Sequence, residues 1–266
     1  MYYDYHIHSS FSEDCSVDME IIVKKAIELG IKEICFTDHI DYDMTLEGIP
    51  EEIFDPVEYT KEINRLKGIY SGQISIKKGV EIGLQPHIKQ KCMDFVAKND
   101  FDFAICSMHT ADKLDIYHGH FFEGKTPKQA YAMYFEELYN SIENNPYYSV
   151  LGHYDLLKRH VKHDADKIMK ENFDIIEATF KRVIEDGKGI EINASGFKYN
   201  LGHTLPTKDF LLLYKELGGE IITTGSDSHG TGYLADHFDY VYHMLKETGF
   251  RYITTFDKMK PQFVKI

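Results

Sequence analysis

Tyr2-Tyr3-Asp4-Tyr5-His6-Ile7-His8 is the stretch on which the reading of this chain turns. Residues 2–6 form a strand-like run that leads into a His-x-His pair. Side chains at i and i+2 of a β-strand share a face, so both imidazoles point the same way. Two neutral imidazoles aimed at one point suit a divalent transition metal. Alone the pair specifies little, and its weight comes from the His, Asp and Glu residues at the ends of later apolar runs.

Further short apolar runs occupy 33–37, 74–80, 103–107, 149–152, 189–193 and 220–224. Amphipathic patterns of helical period lie between them, at 17–29, 57–70, 88–98, 127–144, 171–186 and 207–217, with another near 233–248. Gly30, Gly187 and Gly218 stand as helix stops, and Pro127 suits a first helical turn. Strand–helix alternation along the whole chain implies an α/β fold with a parallel sheet. Seven such units favour a closed or distorted barrel, read as one domain over 1–266, since no low-complexity linker divides the chain. The acidic, irregular stretch 41–56 reads as a loop over one barrel end.

The second run leads into Thr37-Asp38-His39, the third into Glu81, the fourth into His109, the fifth into His153 and the seventh into Asp227-Ser228-His229. Asp14 lies in the loop after the first. Parallel barrels gather active-site residues at the C-terminal ends of their strands. His6, His8, Asp14, His39, Glu81, His109, His153, Asp227 and His229 are therefore expected to converge. Nine nitrogen and oxygen donors exceed the needs of one tetrahedral zinc. They suit two or three divalent ions, with Glu81 or a solvent oxygen as a bridge, and Zn, Fe and Mn are all compatible. A lone strand-end histidine is more often a hydrogen-bonding residue than a ligand, so the shared placement carries the assignment. Asp38 either binds metal or orients His39. The histidines at 87, 118, 120, 160, 163, 237 and 243 read as surface or polar-network residues.

A formal charge of -13 argues against a broad nucleic-acid surface, which needs clustered Lys and Arg. A small anionic substrate fits, because bound cations reverse the local charge. No apolar run approaches the about 18 residues of a membrane span, and no secretory signal is visible. Cys15, Cys35, Cys92 and Cys106 form no CxxC pair, and reduced thiols agree with a cytoplasmic location. Acidic residues at 41–52 read as a solvated loop, or as an attraction for a cationic substrate. The oligomeric state is not legible.

The motifs His6-Ile7-His8, Asp14, Thr37-Asp38-His39, Glu81, Ser107-Met108-His109, Gly152-His153 and Ser226-Asp227-Ser228-His229 resemble those of the PHP family (polymerase and histidinol phosphatase) of metal-dependent phosphoesterases. They run in family order over nearly the whole chain. The resemblance implies a distorted (β/α)7 barrel with a trinuclear centre at the C-terminal strand ends. It implies one ion on His6, His8, Glu81 and Asp227, a second on Glu81, His109 and His153, and a third on Asp14, His39 and His229.

Within the family, Gly152-His153-Tyr154-Asp155-Leu156-Leu157-Lys158-Arg159 and Glu191-Ile192-Asn193-Ala194-Ser195-Gly196-Phe197-Lys198 resemble the monofunctional histidinol-phosphate phosphatases. That likeness implies hydrolysis of L-histidinol phosphate in histidine biosynthesis, by in-line attack of a hydroxide bridging two ions. Arg159, Asp14 and His39 form the expected catalytic group. Arg159 clamps phosphate, unless it is a surface residue of the Lys-Arg-His cluster, and Asp14 or a metal-bound water protonates the leaving alkoxide. Lys158, Ser195, Lys198 and His203 are expected beside Arg159 as substrate contacts, His203 alternatively as a loop hydrogen-bonding residue. Lys198 stands where those enzymes carry arginine, and it lacks the planar fork for bidentate phosphate binding. The competing functions are hydrolysis of another ester (nucleotide, sugar phosphate or phosphotyrosine), nuclease proofreading, and metal binding without catalysis.

Overall fold

The computed structural model describes residues 1–44, 51–161 and 165–266. Part of the acidic stretch read as a loop, and His163, lie outside the described residues. The strands in chain order are β1 (Tyr3–His8), β2 (Glu33–Phe36), β3 (His39–Asp41), β4 (Glu52–Ile53), β5 (Ser75–Gly83), β6 (Phe103–Ser107), β7 (Thr110–Ala111) and β8 (Leu114–Asp115). They continue with β9 (Val150–Leu151), β10 (Gly189–Asn193), β11 (Ile222–Gly225), β12 (Ser228–His229), β13 (Tyr252–Asp257) and β14 (Lys260–Lys265). The helices are α1 (Met19–Glu28), α2 (Pro56–Ile69), α3 (Lys89–Lys98), α4 (Pro127–Ile142), α5 (Ala165–Glu171), α6 (Phe173–Glu185), α7 (Lys208–Glu216) and α8 (Phe238–Glu247).

Local chemistry sets several of these boundaries. Asp55 caps α2 by accepting from the Val57 N–H, with Pro56 in the first turn. Thr126 and Gln129 form a reciprocal capping box at α4, where Pro127 again opens the helix. Among the described residues, no helix is long and apolar enough to cross a membrane.

The main sheet runs in the order β11-β10-β9-β6-β5-β2-β1-β12, parallel throughout, and curls into a distorted barrel. The seven strand–helix units read from the sequence are present. Among the features outside that alternation, three stand out. First, β3 continues β2 against β5 in unbroken register, with Glu33 opposite Ser75 and His39 opposite Glu81. Second, β4 pairs antiparallel with β3, so the stretch from residue 41 is in part strand and not loop. Third, β13 and β14 form an antiparallel hairpin after α8.

A register irregularity between Asp4 and Ile7 sits in the pairing of β1 with β2. Strict alternation would put Tyr5 and Ile7 on one face. Instead, Tyr5 packs with Phe103 and Phe256, whereas Ile7 joins the core shared with the helices. The bulge thus lets one short strand supply a core aromatic and, one residue later, a site histidine.

Candidate metal centre

The nine residues expected to converge do so, and Glu81 is the hub. It is 1 % exposed, toward the C-terminal end of β5 where pairing continues on both sides. Its Oε2 lies 3.1 Å from His6 Nε2, 3.4 Å from His8 Nε2 and 3.3 Å from His39 Nδ1. Its Oε1 lies 3.0 Å from His153 Nε2 and 3.3 Å from His109 Nε2, and accepts from Ser107 Oγ at 2.5 Å. The two oxygens therefore serve two separate groups of imidazoles.

Asp227 also divides its carboxylate. Its backbone is left-handed (φ 54°), a conformation that Asp tolerates better than most residues. Its N–H donates to His6 O at 2.8 Å. Oδ1 faces His8 Nε2 and His229 Nδ1, both at 3.6 Å, while Oδ2 accepts from Arg159 Nη2 at 2.6 Å and Ser195 Oγ at 3.2 Å. Asp14 sits half-exposed at the rim, its Oδ2 2.8 Å from His229 Nε2 and 3.8 Å from His39 Nε2.

His6 Nε2, His8 Nε2 and His39 Nδ1 are buried without a hydrogen-bond partner, although carboxylate oxygens lie close by. Unpartnered buried nitrogens are costly in a purely protein site, whereas converging lone pairs are what a cation requires. Donor atoms within 4.8 Å of one another occur in the sets His6, His8, Glu81; Glu81, His109, His153; His6, His153, Asp227; and His8, His39, His229. The residues thus fit several divalent ions. Imidazoles and carboxylates also set each other's charge. Burial disfavours the ionised Glu81 and Asp227, but the surrounding imidazoles, with Arg159 at Asp227, hold both well below the carboxylate range. His39 is depressed by burial yet raised to about 9 by Glu81 and Asp41. His8 falls well below the imidazole range through burial and the neighbouring His229 and His39.

Supporting residues extend the set. Glu191, within the apolar strand β10, accepts from His6 Nδ1 at 2.6 Å, which leaves the Nε2 lone pair facing the cluster. A Cβ at Gly225 would collide with Glu191, and one at Gly83 with Asp41, so both glycines make room for carboxylates. Asp41 lies 3.1 Å from His39 Nδ1 and 2.9 Å from His109 Nδ1. It shares a strand face with His39, the same i, i+2 signal as His6 and His8, hidden by the irregular sequence after it. Asp38 accepts from Ser9 and Ser12 hydroxyls. Ser12 Oγ in turn accepts from the His39 N–H and lies 3.3 Å from His8 Nδ1.

A cavity of about 300 Å³ opens over the cluster, lined by Asp14, His39, Glu81, His109, His153, Asp227 and His229. His6 and His8 lie buried beneath it. Arg159 lines it too, its guanidinium 4.3 Å from the centre of the Tyr199 ring. The other expected substrate contacts stand elsewhere. Lys158 is buried, its Nζ 3.5 Å from Asp155 and 5.7 Å over the Phe210 ring, because the 3-10 turn Leu156–Arg159 directs it inward. Ser195 lies below the cavity and accepts from Arg159 Nη2 at 2.7 Å, so it positions the guanidinium. Lys198 lies off the described lining, over the Tyr199 and Tyr233 rings. His203 Nδ1 bonds the Thr204 carbonyl at 2.8 Å. Conversely, His118 and His160, read as surface or network residues, line the cavity.

Residues 4–195 match the PHP domain family. The chain is 33% identical over 262 residues to the histidinol-phosphatase of Lactococcus lactis subsp. lactis, covering 97% of this chain and 95% of that protein. It is 31% identical over 236 residues to a probable histidinol-phosphatase of Clostridium acetobutylicum, covering 86% and 87%. The crystal structure of a Lactococcus lactis histidinol phosphate phosphatase with zinc, L-histidinol and phosphate superposes with a TM-score of 0.86, at 30% identity and 98% coverage of both chains.

Proposed function

The chain belongs to the PHP domain family, and we infer that it is a metal-dependent phosphatase that converts L-histidinol phosphate and water into L-histidinol and phosphate. The observation that carries this reading is the convergence of imidazoles and carboxylates beneath one cavity that also receives Arg159. Relatives with that activity in their names match it along nearly their whole length. We assign the reaction to histidine biosynthesis in the cytoplasm and treat residues 1–266 as one catalytic domain.

We place the ions on His6, His8, Asp14, His39, Glu81, His109, His153, Asp227 and His229, with Glu81 shared. Bound divalent ions supply Lewis acidity toward phosphoryl oxygens and lower the pKa of water. The chain's own part is to hold and orient. Glu191 keeps the His6 proton on Nδ1, and Ser12 steadies His8 and the start of β3. Arg159, stacked on Tyr199 and tethered to Ser195 and Asp227, presents its guanidinium to an anionic phosphoryl group without a search among rotamers. The buried tether also keeps that charge beside the cluster, so substrate binding needs little rearrangement.

The test is a panel of phosphate monoesters assayed with the protein stripped by chelator and reloaded with Zn, Mn or Fe. L-Histidinol phosphate should be turned over with the highest kcat/KM, and only after reloading. Preference for a nucleotide or sugar phosphate would overturn the substrate assignment. Full activity of the stripped protein would overturn the metal requirement.

A further inference from the structure

Six carboxylates line the cavity among the described residues: Asp14, Asp41, Glu52, Glu81, Asp115 and Asp227. Five face a cation or imidazole at hydrogen-bonding range. Asp14 meets His229 at 2.8 Å, Asp41 meets His109 at 2.9 Å and Glu81 meets His153 at 3.0 Å. Asp115 meets His118 at 2.8 Å and Asp227 meets Arg159 at 2.6 Å. Glu52 differs. Its Oε2 is shut off from solvent and has no hydrogen-bond partner.

Its position sharpens the anomaly. Glu52 pairs directly with Asp41 across the antiparallel β3–β4 ladder, and residues directly opposite each other share a face. A second carboxylate opposite Asp41 is unfavourable unless a positive group lies between or beside them. Burial raises the Glu52 carboxyl above its ordinary range, against the nearby His39 and His109 imidazoles and with Asp41 and Asp14 adding to the rise. A desolvated carboxylate of this kind gains most from a cation brought in by a ligand.

The ester that this cavity is inferred to hydrolyse carries such a cation. In a phosphate ester of a β-amino alcohol, the ammonium sits on the carbon next to the carbinol, within a few ångströms of the bond that breaks. Glu52, paired with Asp41, lines the cavity together with His39 and His109, and Arg159 lines it too, for the phosphoryl end. We propose that Glu52 binds the α-ammonium of the substrate and selects amino-alcohol phosphates over esters lacking the amine. This rests on the cavity being the phosphatase site.

The experiment compares two matched pairs: L-histidinol phosphate with 3-(imidazol-4-yl)propyl phosphate, and O-phosphoethanolamine with ethyl phosphate. Wild-type holoenzyme should favour the amine-bearing member by about 10- to 100-fold in kcat/KM, a measurement that needs no variant. Glu52→Gln, nearly isosteric, should bring that ratio close to one with metal stoichiometry unchanged. An unchanged ratio in Glu52→Gln overturns the proposal, as does no amine preference in the wild type. Equal losses on both members, or loss of metal, also overturn it and make Glu52 a support of the centre. If the wild type discriminates through Glu52 in the ethanolamine pair but ignores L-histidinol phosphate, the ammonium site stands and the substrate assignment falls. If L-histidinol phosphate is the preferred ester but its des-amino analogue is hydrolysed equally well, the substrate assignment stands and the ammonium site falls.

Discussion

The two ends of the barrel are made from the same strands and have almost nothing else in common. At the C-terminal end, β1, β3, β5 and the segments after β6 and β9 present imidazoles and carboxylates around Glu81. Toward the N-terminal end, Tyr5, Cys35, Phe103, Ile105, Val150 and Phe256 form a separate apolar cluster, whose Ile105 reaches the level of Glu81. Phe256 comes from the hairpin β13–β14, and the Tyr5, Phe103 and Phe256 rings meet at centroid distances of 5.0–6.4 Å. Within β6 alone, Phe103 belongs to this floor and Ser107 to the site. Side chains at the site are held by charge and hydrogen bonds, and those at the floor by packing. Damage at the two ends should therefore be separable.

The sharpest break is at the hub. Glu81→Gln should lower turnover on the order of a thousandfold or more and reduce bound metal, while circular dichroism still reports the folded barrel. Retained metal and activity would dismiss Glu81 as the shared ligand. At the floor, Phe103→Ala should destabilise by about 3–5 kcal/mol in denaturant titrations, with kcat close to wild type wherever the protein is folded. A loss of metal in that variant would mean that the two ends are not independent.

Two smaller effects grade the site itself. Arg159→Ala should lower kcat/KM by about 100- to 1000-fold with metal content, read by mass spectrometry, unaltered. Unchanged turnover would remove Arg159 from phosphate binding. Glu191→Gln should weaken metal affinity or activity by about 10- to 100-fold, because the amide holds His6 Nδ1 less firmly. Chelator competition would show no change if Glu191 served only the core.

What was legible in the sequence divides along the same line. The site end announces itself because His and Asp at strand ends are conspicuous against apolar runs, and the spacing of His6, His39, Glu81, His109, His153 and Asp227 follows the strand–helix period. Asp41 obeys the same alternation but opens an acidic stretch, which masks a strand of three residues. Glu191 is a charged residue between Ile190 and Ile192 in a buried strand, a signal that alternation alone does not assign to the site. Lys158 beside Arg159 shows the limit. Adjacent basic residues in a tight turn diverge, and only one reaches the cavity. The floor was less visible, since an antiparallel hairpin after the last helix breaks the alternating pattern and Tyr5 reads as one more apolar residue.

The pairing of β1 with β12 has a consequence for how the protein comes into being. Ile7 and His8 lie against Ser228 and His229, and Ser226 reaches the His6 carbonyl across 220 residues of chain. A ribosome delivers these partners apart, Ser226 following His6 by 220 residues. Until the later ones emerge, the first strand lacks a neighbour on one side, and an ion meeting His6 and His8 finds only part of its ligands. Closure of the ring and loading of the centre thus wait until the chain as far as β12 has been made.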